Sequence, residues 1–365
     1  MSPVPPVCPS AQWFPERGVR TVAPALASRP VPQHSGHMSA RVTDHALDDL
    51  AAAARAALVR EIDATGAWDA DPVWRDAFES VPRHLFVPYY YVGGRGGYER
   101  RWSEDPGPGR REEWMRGAYA DAPLATRVRD GELVSSSSQP SLMARMLVEL
   151  APREGDAVLE IGAGTGYNAA LLAHRLGDGL VTTVDLDPEI TESARRHLAA
   201  AGHRPAVVTG DGARGCSERA PFDRVIATCA LSSIPRPWLA QCRPGARILA
   251  PFATGLIALR VRDPGYAEGR FLHTPAYFVP LRGGSASGCG VSDACPESLP
   301  GRAGGHELFR FLLTLTAGSL PSDEAFALWE SEKFPSRERY GITVGDGRAW
   351  AWLDDPEGPH TWPLS

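Results

Sequence analysis

The stretch VLEIGAGTGYNAALLA, residues 158–173, predicts a β-strand, a glycine-rich turn and an α-helix in direct succession. Four residues with a strand-like pattern, 158–161, precede the turn at 162–166, and a helix-forming run follows it. Glycines at such a turn let a ligand come close to the backbone. The helix that begins near Tyr167 and Asn168 turns its free N–H groups and the positive end of its dipole to the same place. This stretch therefore indicates a site for a nucleotide-like ligand.

The spacing of the glycines at 162, 164 and 166 bears on the identity of that ligand. A dinucleotide site needs the fingerprint G-x-G-x-x-G. Here the third glycine comes one residue early, and Tyr167 stands where a dehydrogenase would have glycine. The spacing therefore argues against NAD.

Two acidic residues near the turn suit S-adenosylmethionine (SAM). Asp185 ends the next predicted strand, in VTTVDLD, where a carboxylate can accept hydrogen bonds from both ribose hydroxyls. Glu160 lies inside the first strand, near the glycines, where it can help to hold the positively charged methionine end of the cofactor. The alternative is that Glu160 caps local backbone and Asp185 is a turn residue. The presence of both acids at these positions favours the SAM site.

Composition narrows the class of protein. A chain of 365 residues can bury the core of one main domain and still carry appendages. A net charge of −6 and the lack of a long basic run argue against nucleic acid as a partner. No apolar stretch is long enough to predict a membrane span. Six scattered cysteines without C-x-x-C or zinc-ligand spacing indicate reduced thiols in a cytoplasmic protein, and no metal site is expected.

The N-terminal part divides into a tail and two helices. Residues 1–40 hold eight prolines before position 37 and few charges, which predicts a disordered tail. Residues 41–80 predict a helix that begins at Thr43 or Asp44 and ends at Gly66, followed by a short helix from Trp74 to Glu79.

Residues 91–117 resemble an insertion. They contain six arginines, five acidic residues and two tryptophans, Trp102 and Trp114, around a Gly-Pro-Gly. One interpretation is a solvated surface loop. The other is a lid that faces the substrate, because exposed Trp and Arg commonly anchor a bound peptide.

A run of four serines, 135–138, precedes a predicted helix whose first residue is Pro140. The N-terminus of this helix therefore lies beside Ser138. Hydroxyl groups at a helix N-terminus attract a carboxylate, although N-capping by a serine is the more ordinary role of this feature.

Alternation of strands and helices continues after the glycine turn. AVLEI, LVTTVD, PAVVTGD, DRVIATC and ARILAPF are five strand candidates with helices between them, which predicts a doubly wound, mainly parallel α/β sheet. Asp211 and Gly212 follow the third strand, where a carboxylate could accept a hydrogen bond from an adenine amine. Residues 256–261 and 276–281 predict the last strands, so that the sheet would be complete by Leu281.

The sequence resembles the protein-L-isoaspartate O-methyltransferase family over about residues 80–284. The matching pieces are VPRHLFVP, AYADAPL, SSQPSLMARML, VLEIGAGTGYNAALLA, GDGARG, APFDRVIATCA, Ile234-Pro235 and YFVPL at 277–281. The resemblance implies a class I SAM-dependent methyltransferase with a Rossmann-like fold, SAM as cofactor, and methylation of an aspartyl or isoaspartyl carboxylate on a peptide or protein. It also implies that Ser138 contacts that carboxylate, that Gly162 and Gly164 form the methionine-binding turn, and that Asp185 binds the ribose.

The expected site follows from the motifs and the resemblance together. Ser138 is the candidate catalytic residue, and the candidate substrate contacts are Ser137, Gln139, His84, Trp102 and Trp114. The candidate cofactor contacts are Glu160, Gly162, Gly164, Gly166, Asn168, Asp185, Asp211 and Gly212. A carboxylate has a reference pKa near ~4 and is ionised at neutral pH, so the reaction needs no general base and Ser138 would orient the acceptor.

The C-terminal part departs from compact members of the family. Residues 285–305 predict a flexible linker, and residues 306–365 a small α+β module with two helices and a hairpin that turns at Gly345-Asp346-Gly347. The catalytic domain would then span residues 81–284. This layout is similar to that of bacterial methyltransferases that modify ribosomally made peptides crosslinked by ATP-grasp ligases. Three hypotheses follow: a peptide-tailoring enzyme acting on an ATP-grasp ligase product, a general isoaspartate repair enzyme, and a SAM-binding adaptor without turnover.

Overall fold

The computed structural model describes residues 37–94, 97–129, 132–283, 305–317 and 319–364. The predicted tail and the predicted linker lie largely outside these residues. The first helix begins at His37, six residues before the predicted Thr43, so the last residues assigned to the tail are helical. Within the described residues, no helix is both long and apolar enough to cross a membrane.

The elements follow one another in a regular alternation through the middle of the chain. The helices are α1 (His37–Ala64), α2 (Val73–Ser80), α3 (Pro108–Ala118), α4 (Pro140–Leu150), α5 (Tyr167–Leu176), α6 (Pro188–Ala200), α7 (Arg236–Ala240), α8 (Glu307–Leu315) and α9 (Ser322–Ser331). The first seven strands are β1 (Tyr89–Gly94), β2 (Gly97–Trp102), β3 (Leu124–Arg129), β4 (Glu132–Ser137), β5 (Val158–Ile161), β6 (Val181–Asp185) and β7 (Ala206–Thr209). The others are β8 (Phe222–Ala227), β9 (Cys242–Phe252), β10 (Gly255–Asp263), β11 (Tyr266–Pro275), β12 (Tyr340–Gly345), β13 (Arg348–Leu353) and β14 (Thr361–Pro363).

The main sheet has ten strands in the order β14-β13-β12-β11-β10-β9-β8-β5-β6-β7. The five strands predicted around the glycine turn, β5 to β9, pair in parallel, which confirms the doubly wound part of the fold. All four residues of β5 are buried, as expected for a strand covered on both faces. The carboxyl ends of the central parallel strands therefore meet at one edge, where ligands bind in this class of fold.

The predicted strand at 276–281 is wrong. The strand that pairs with β10 is β11, because Asp263-Pro264-Gly265 forms a tight turn in which the Gly265 N–H donates to the Asp263 carboxylate over 2.8 Å. Residues 276–281 instead run back across the sheet to Ala230, whose N–H donates to Val279 O and whose carbonyl accepts from Leu281 N, each over 2.8 Å. This return brings the YFVPL segment to the carboxyl ends of the parallel strands.

The sheet is not complete at Leu281 either. β12 pairs antiparallel with β11, and β13 and β14 extend the same sheet. Without β12, β11 would present a row of unpaired N–H and C=O groups at the edge. The Phe311 ring of α8 lies 4.8 Å from that of Phe271 on β11, within one hydrophobic cluster that also contains β8 and β9 residues. The segment predicted as a separate module thus continues the central sheet and shares its core.

The predicted insertion at 91–117 is also folded. β1 and β2 form a hairpin that joins β3 and β4 in a four-stranded antiparallel sheet of order β2-β1-β3-β4, and α3 follows the hairpin. Trp114 on α3 is buried and its indole N–H donates to Val87 O over 2.9 Å. Trp114 therefore anchors the insertion to the fold and does not face a substrate. β4, at the other edge of this small sheet, contains the first three residues of the serine run at 135–138.

Candidate active site

The glycine turn after β5 forms one wall of a pocket at the carboxyl ends of the parallel strands. Gly162 has a φ of 97°, and a Cβ there would lie 2.7 Å from Thr228 Oγ1. Gly164 has a φ of 52°, and a Cβ there would meet Ser136 O at 3.4 Å. Gly162 combines a left-handed backbone with close packing, and Gly164 has a left-handed backbone in ordinary contact with Ser136, so a side chain would be strained at each position. The bare turn leaves its backbone open to the pocket.

Gly166 has a different role from the one predicted. A Cβ at Gly166 would lie 3.2 Å from the Leu198 side chain and 3.3 Å from Ala194 O, both on α6. Gly166 precedes α5 and does not line the pocket. Its lack of a side chain therefore allows α5 to pack against α6, which supports the turn from behind.

Glu160 and Asn168 form a buried polar pair at the base of the pocket. Asn168 Nδ2 donates to Glu160 Oε1 over 2.8 Å, and both side chains line the pocket. Burial raises the pKa of the Glu160 carboxyl to about 7. Among the described residues, Glu160 Oε2 and Asn168 Oδ1 have no hydrogen-bond partner. Two such buried oxygens, in residues that line one pocket, suit a ligand that donates hydrogen bonds and carries positive charge.

Asp185 lies at the end of β6 with only 8% of its surface exposed. Its Oδ2 accepts from Gly164 N over 3.2 Å, which ties the acid to the glycine turn. Its Oδ1 accepts from Asp187 N over 3.3 Å and from Arg282 Nη2 over 3.4 Å. Arg282 is a pocket residue that the sequence did not indicate, because the chain brings it there only through the return past Ala230.

Of the two residues predicted at the adenine position, only Gly212 lines the pocket. A Cβ at Gly212 would lie 2.7 Å from Ile161 Cγ2, so this residue packs directly on the end of β5. The Asp211 carboxylate accepts from Ala213 N over 3.0 Å and thereby caps the short 3-10 helix at Gly212–Arg214.

The serine run lines the same pocket as the glycine turn and packs against that turn at Gly164. Residues 135–138 all line the pocket, and Ser138 is half-buried. The N-terminus of α4 is held by Asp121, whose Oδ1 accepts from Ser141 N over 2.8 Å and whose Oδ2 accepts from Gln139 Nε2 over 3.1 Å. Ser138 does not cap the helix, because the N-cap residue is Gln139. Gln139 is turned towards Asp121 and lies outside the pocket lining.

Three other predicted substrate contacts lie away from the pocket. His84 Nδ1 lies 2.8 Å from the Tyr119 hydroxyl, and burial lowers the pKa of the imidazole. Trp102 is on β2, the strand of the small sheet farthest from β4, and its indole N–H donates to Asp105 over 3.0 Å. Trp114 is buried as described above. These residues support the fold around the site and do not form its surface in this structure.

The end of β8 completes the pocket. The Thr228 hydroxyl donates to Gly162 O over 2.7 Å, which fixes the glycine turn. Burial raises the pKa of the neighbouring Cys229 thiol to about 12, so this pocket residue is a neutral thiol and not a nucleophile.

These residues fit SAM. The unsatisfied oxygens of Glu160 and Asn168 suit the methionine ammonium group, the bare backbone at Gly162 and Gly164 suits close approach of the cofactor, and Asp185 suits the ribose hydroxyls. The site and the doubly wound sheet define a class I SAM-dependent methyltransferase.

Comparison with known proteins gives the family. The family model described as "Protein-L-isoaspartate(D-aspartate) O-methyltransferase (PCMT)" matches residues 110–285. The protein-L-isoaspartate O-methyltransferase of Hyperthermus butylicus is 35% identical over 218 residues, which are 56% of this chain and 78% of the relative. Protein-L-isoaspartate O-methyltransferase 2 of Archaeoglobus fulgidus is 34% identical over 213 residues, covering 57% and 84% of the two chains. The chain belongs to the protein-L-isoaspartate O-methyltransferase family.

A solved structure supports the fold beyond the catalytic residues. A protein-L-isoaspartate O-methyltransferase structure matches with a TM-score of 0.56 and 23% identity, covering 85% of this chain and 98% of that chain. Residues 1–283 are too few to supply that share of a 365-residue chain. The structural likeness therefore reaches into the C-terminal segment that extends the sheet.

Proposed function

We propose that the protein transfers a methyl group from SAM to the carboxylate of an isoaspartyl or aspartyl residue in a peptide or protein. The observation that carries the proposal is that two features line one pocket. The glycine turn, Glu160 and Asp185 line one part of it, and Ser138 with its neighbouring serines lines another. The first feature suits a cofactor with a cationic end and a ribose, and the hydroxyls of the second suit an anionic acceptor.

The chemistry requires orientation more than proton transfer. SAM, when bound, supplies an electrophilic methyl group. The acceptor carboxylate has a reference pKa near ~4, so it is ionised at neutral pH and needs no base. Holding two reactants in line can contribute on the order of 7–11 kcal/mol to lowering the barrier. Serine hydroxyls, which can orient the carboxylate but are not charged bases, are therefore sufficient for the proposed mechanism.

Each wall residue has a defined task in this proposal. Glu160 and Asn168 hold the methionine ammonium, and Asp185 accepts from the ribose hydroxyls. The Ser138 hydroxyl donates to the acceptor carboxylate and orients it. We also propose that Asp211 and Gly212 contact the adenine, and of these two residues Gly212 is the one that lines the pocket.

Methyl transfer to a matched pair of peptides tests this proposal. The two peptides have one sequence and differ only in an isoaspartyl or an ordinary aspartyl linkage at one position. We expect transfer to at least one of them, with the isoaspartyl peptide preferred. Binding of SAM in calorimetry without transfer to either peptide, or to any larger acceptor, would support the adaptor hypothesis instead.

A narrower form of the proposal is that the natural substrate is a ribosomally made peptide crosslinked by an ATP-grasp ligase. It is favoured by the folded insertion, which supplies β2 and most of β1 to the small sheet. There the Arg100 guanidinium lies 4.5 Å from the Tyr89 ring and 4.9 Å from the Trp102 ring, an arrangement that suits a large peptide outside the pocket. The Trp102→Ala variant distinguishes the two forms. Loss of activity on the crosslinked peptide with full activity on a short isoaspartyl peptide supports tailoring, and equal activity on both supports general repair.

A further inference from the structure

Arg83 is an arginine with none of its surface exposed. It contacts Ser137 and Ser138 of the serine run at 135–138, which lines the pocket, but it does not line the pocket itself. Its guanidinium donates to three backbone carbonyls of one segment: Ala118 O over 3.0 Å, Ala120 O over 2.8 Å and Ala122 O over 3.1 Å. This segment ends α3 and leads into β3. Burial lowers the pKa of Arg83 to about 10, so the group remains charged at neutral pH.

The same guanidinium also contacts Ser137 and Ser138, the last two residues of the serine run at 135–138. Arg83 Nη2 donates to Ser138 O over 3.1 Å and lies 3.4 Å from Ser137 Oγ. Hydrogen bonds from a charged donor are stronger than neutral ones, and the planar fork of arginine fixes their directions. One buried side chain therefore joins the 118–122 segment to the residue proposed to orient the acceptor.

Asp121, which belongs to the same 118–122 segment, fixes the residues that follow Ser138. Its carboxylate accepts from Ser141 N and from the Gln139 side chain, as described above. Ser138 is thus held on one side by Arg83 and followed on the other by a helix start tied to Asp121. The Ser138 carbonyl is thus bound by Arg83, while Ser138 lines the pocket.

A purely structural role would not explain why a charged side chain is buried here. A buried charge carries a large desolvation cost, and apolar replacements of buried charges are often neutral or stabilising. The guanidinium here binds four backbone carbonyls and one hydroxyl, and its Nε has no partner among the described residues. The residues it fixes include one wall of the pocket.

We propose that Arg83 is a positioning residue for methyl transfer. It holds the Ser138 backbone in the conformation that presents the Ser138 hydroxyl to the acceptor carboxylate. This inference rests on the proposed function of Ser138. Arg83 itself does not line the pocket and acts through Ser138.

A double-mutant cycle with an isoaspartyl peptide tests the proposal. Arg83→Lys keeps the charge and loses the fork, and it is combined with Ser138→Ala. We expect Arg83→Lys alone to lower kcat/KM by about ten- to a hundredfold, because a small misplacement of an orienting group is costly. The same change in the Ser138→Ala background should cost less than about threefold, because coupled residues are not additive. SAM affinity should stay unchanged in both.

Arg337→Lys is the matched control. Arg337 is also buried, at 3% exposure, but it pairs with Glu307 over 2.7 Å in the C-terminal segment, outside the pocket. We expect this variant to lower the melting temperature and to leave kcat/KM unchanged. Equal losses from Arg83→Lys in the two backgrounds, or a parallel loss of SAM affinity, would overturn the positioning role.

Two further measurements keep the test decisive. If Arg83→Lys does not fold, Ser137→Ala can take its place, because it removes one acceptor of the guanidinium. The Ser137→Ala variant should lose less kcat/KM than Arg83→Lys, and this loss should likewise disappear in the Ser138→Ala background; additive losses would refute the proposal.

If the wild-type protein methylates no isoaspartyl peptide, the proposed function fails by itself. Hydrogen exchange then still reports on Arg83: peptides that contain residues 136–139 should exchange faster in Arg83→Lys and not in Arg337→Lys, and no difference would contradict the inference.

Discussion

Replacing Phe311 by alanine should destabilise the whole catalytic fold. Phe311 lies on α8, after the residues predicted as a linker, and has no exposed surface. Its ring lies 4.8 Å from the Phe271 ring on β11 and 5.4 Å from the Tyr340 ring on β12. It also fills the space beside Gly255 on β10, where a Cβ would meet the ring at 3.2 Å.

The size of the effect follows from this burial. Truncation of a fully buried phenylalanine to alanine costs about 3–5 kcal/mol of unfolding free energy. With a urea m-value on the order of 2–3 kcal/mol/M, the unfolding midpoint should fall by about 1–2.5 M. Phe334→Ala is the matched control, because this phenylalanine of the same segment is 54% exposed and should change the free energy by less than about 1 kcal/mol.

Hydrogen exchange at increasing urea concentration gives the midpoint strand by strand. If the C-terminal segment and the parallel strands unfold together, Phe311→Ala lowers the midpoint of β5 as much as that of β12. A β5 midpoint that stays unchanged while β12 unfolds early would refute the reasoning, and residues 306–365 would then be an independent module. The same logic predicts that a chain truncated near Gly284 loses SAM binding.

The other predictions concern the cofactor pocket and the insertion. Asp185→Ala should weaken SAM binding in calorimetry by about 1.5–3 kcal/mol for each ribose hydrogen bond lost, and unchanged affinity in a folded variant would contradict the assignment. Burial raises the pKa of Glu160 to about 7, and the methionine ammonium needs an ionised partner. SAM affinity should therefore fall by up to about tenfold per pH unit below pH 7, and binding there should release a proton. Calorimetric titration in two buffers measures the affinity and the proton release, and an affinity that does not change with pH would exclude Glu160 as the partner of the ammonium. Trp114→Ala should cost about 3–5 kcal/mol of stability in urea and Trp102→Ala much less, since only Trp114 is buried; the reverse order would place Trp102 in the core.

The glycine turn and its two acids could be predicted because their signals are local. A strand, three glycines and a helix occur within 16 residues, and the ends of parallel strands meet at a known edge. Glu160 and Asp185 therefore line one pocket in the structure, although they lie 25 positions apart. Gly166 carries the same sequence signal as its neighbours, and only the contact with α6 separates its role from theirs.

Arg83 and Arg282 could not be found in the same way. The five acceptors of Arg83 lie 35 to 55 residues away, and Arg282 reaches Asp185 over 97 residues through the return past Ala230. Neither periodicity nor spacing contains that information. In the VPRHLF motif His84 is the predicted substrate contact, whereas its neighbour Arg83 makes the contacts with the site.

Long-range strand pairing was the other failure. The hairpin at 340–353 has clear strand and turn signals, and the structure contains it. The predicted strand at 276–281 takes the place of β11, so the sequence prediction leaves no free edge with which the hairpin could pair. The error at one strand therefore created the apparent boundary between a domain and a module.

One measurement tests the central claim directly: mass spectrometry of an isoaspartyl peptide incubated with the protein and SAM that carries a deuterated methyl group. The account predicts that the label appears on the isoaspartyl residue as a carboxyl methyl ester, which alkali removes as methanol. A peptide that stays unlabelled, or a label that withstands alkali and lies on a nitrogen or sulfur atom, would contradict carboxyl methylation by this pocket.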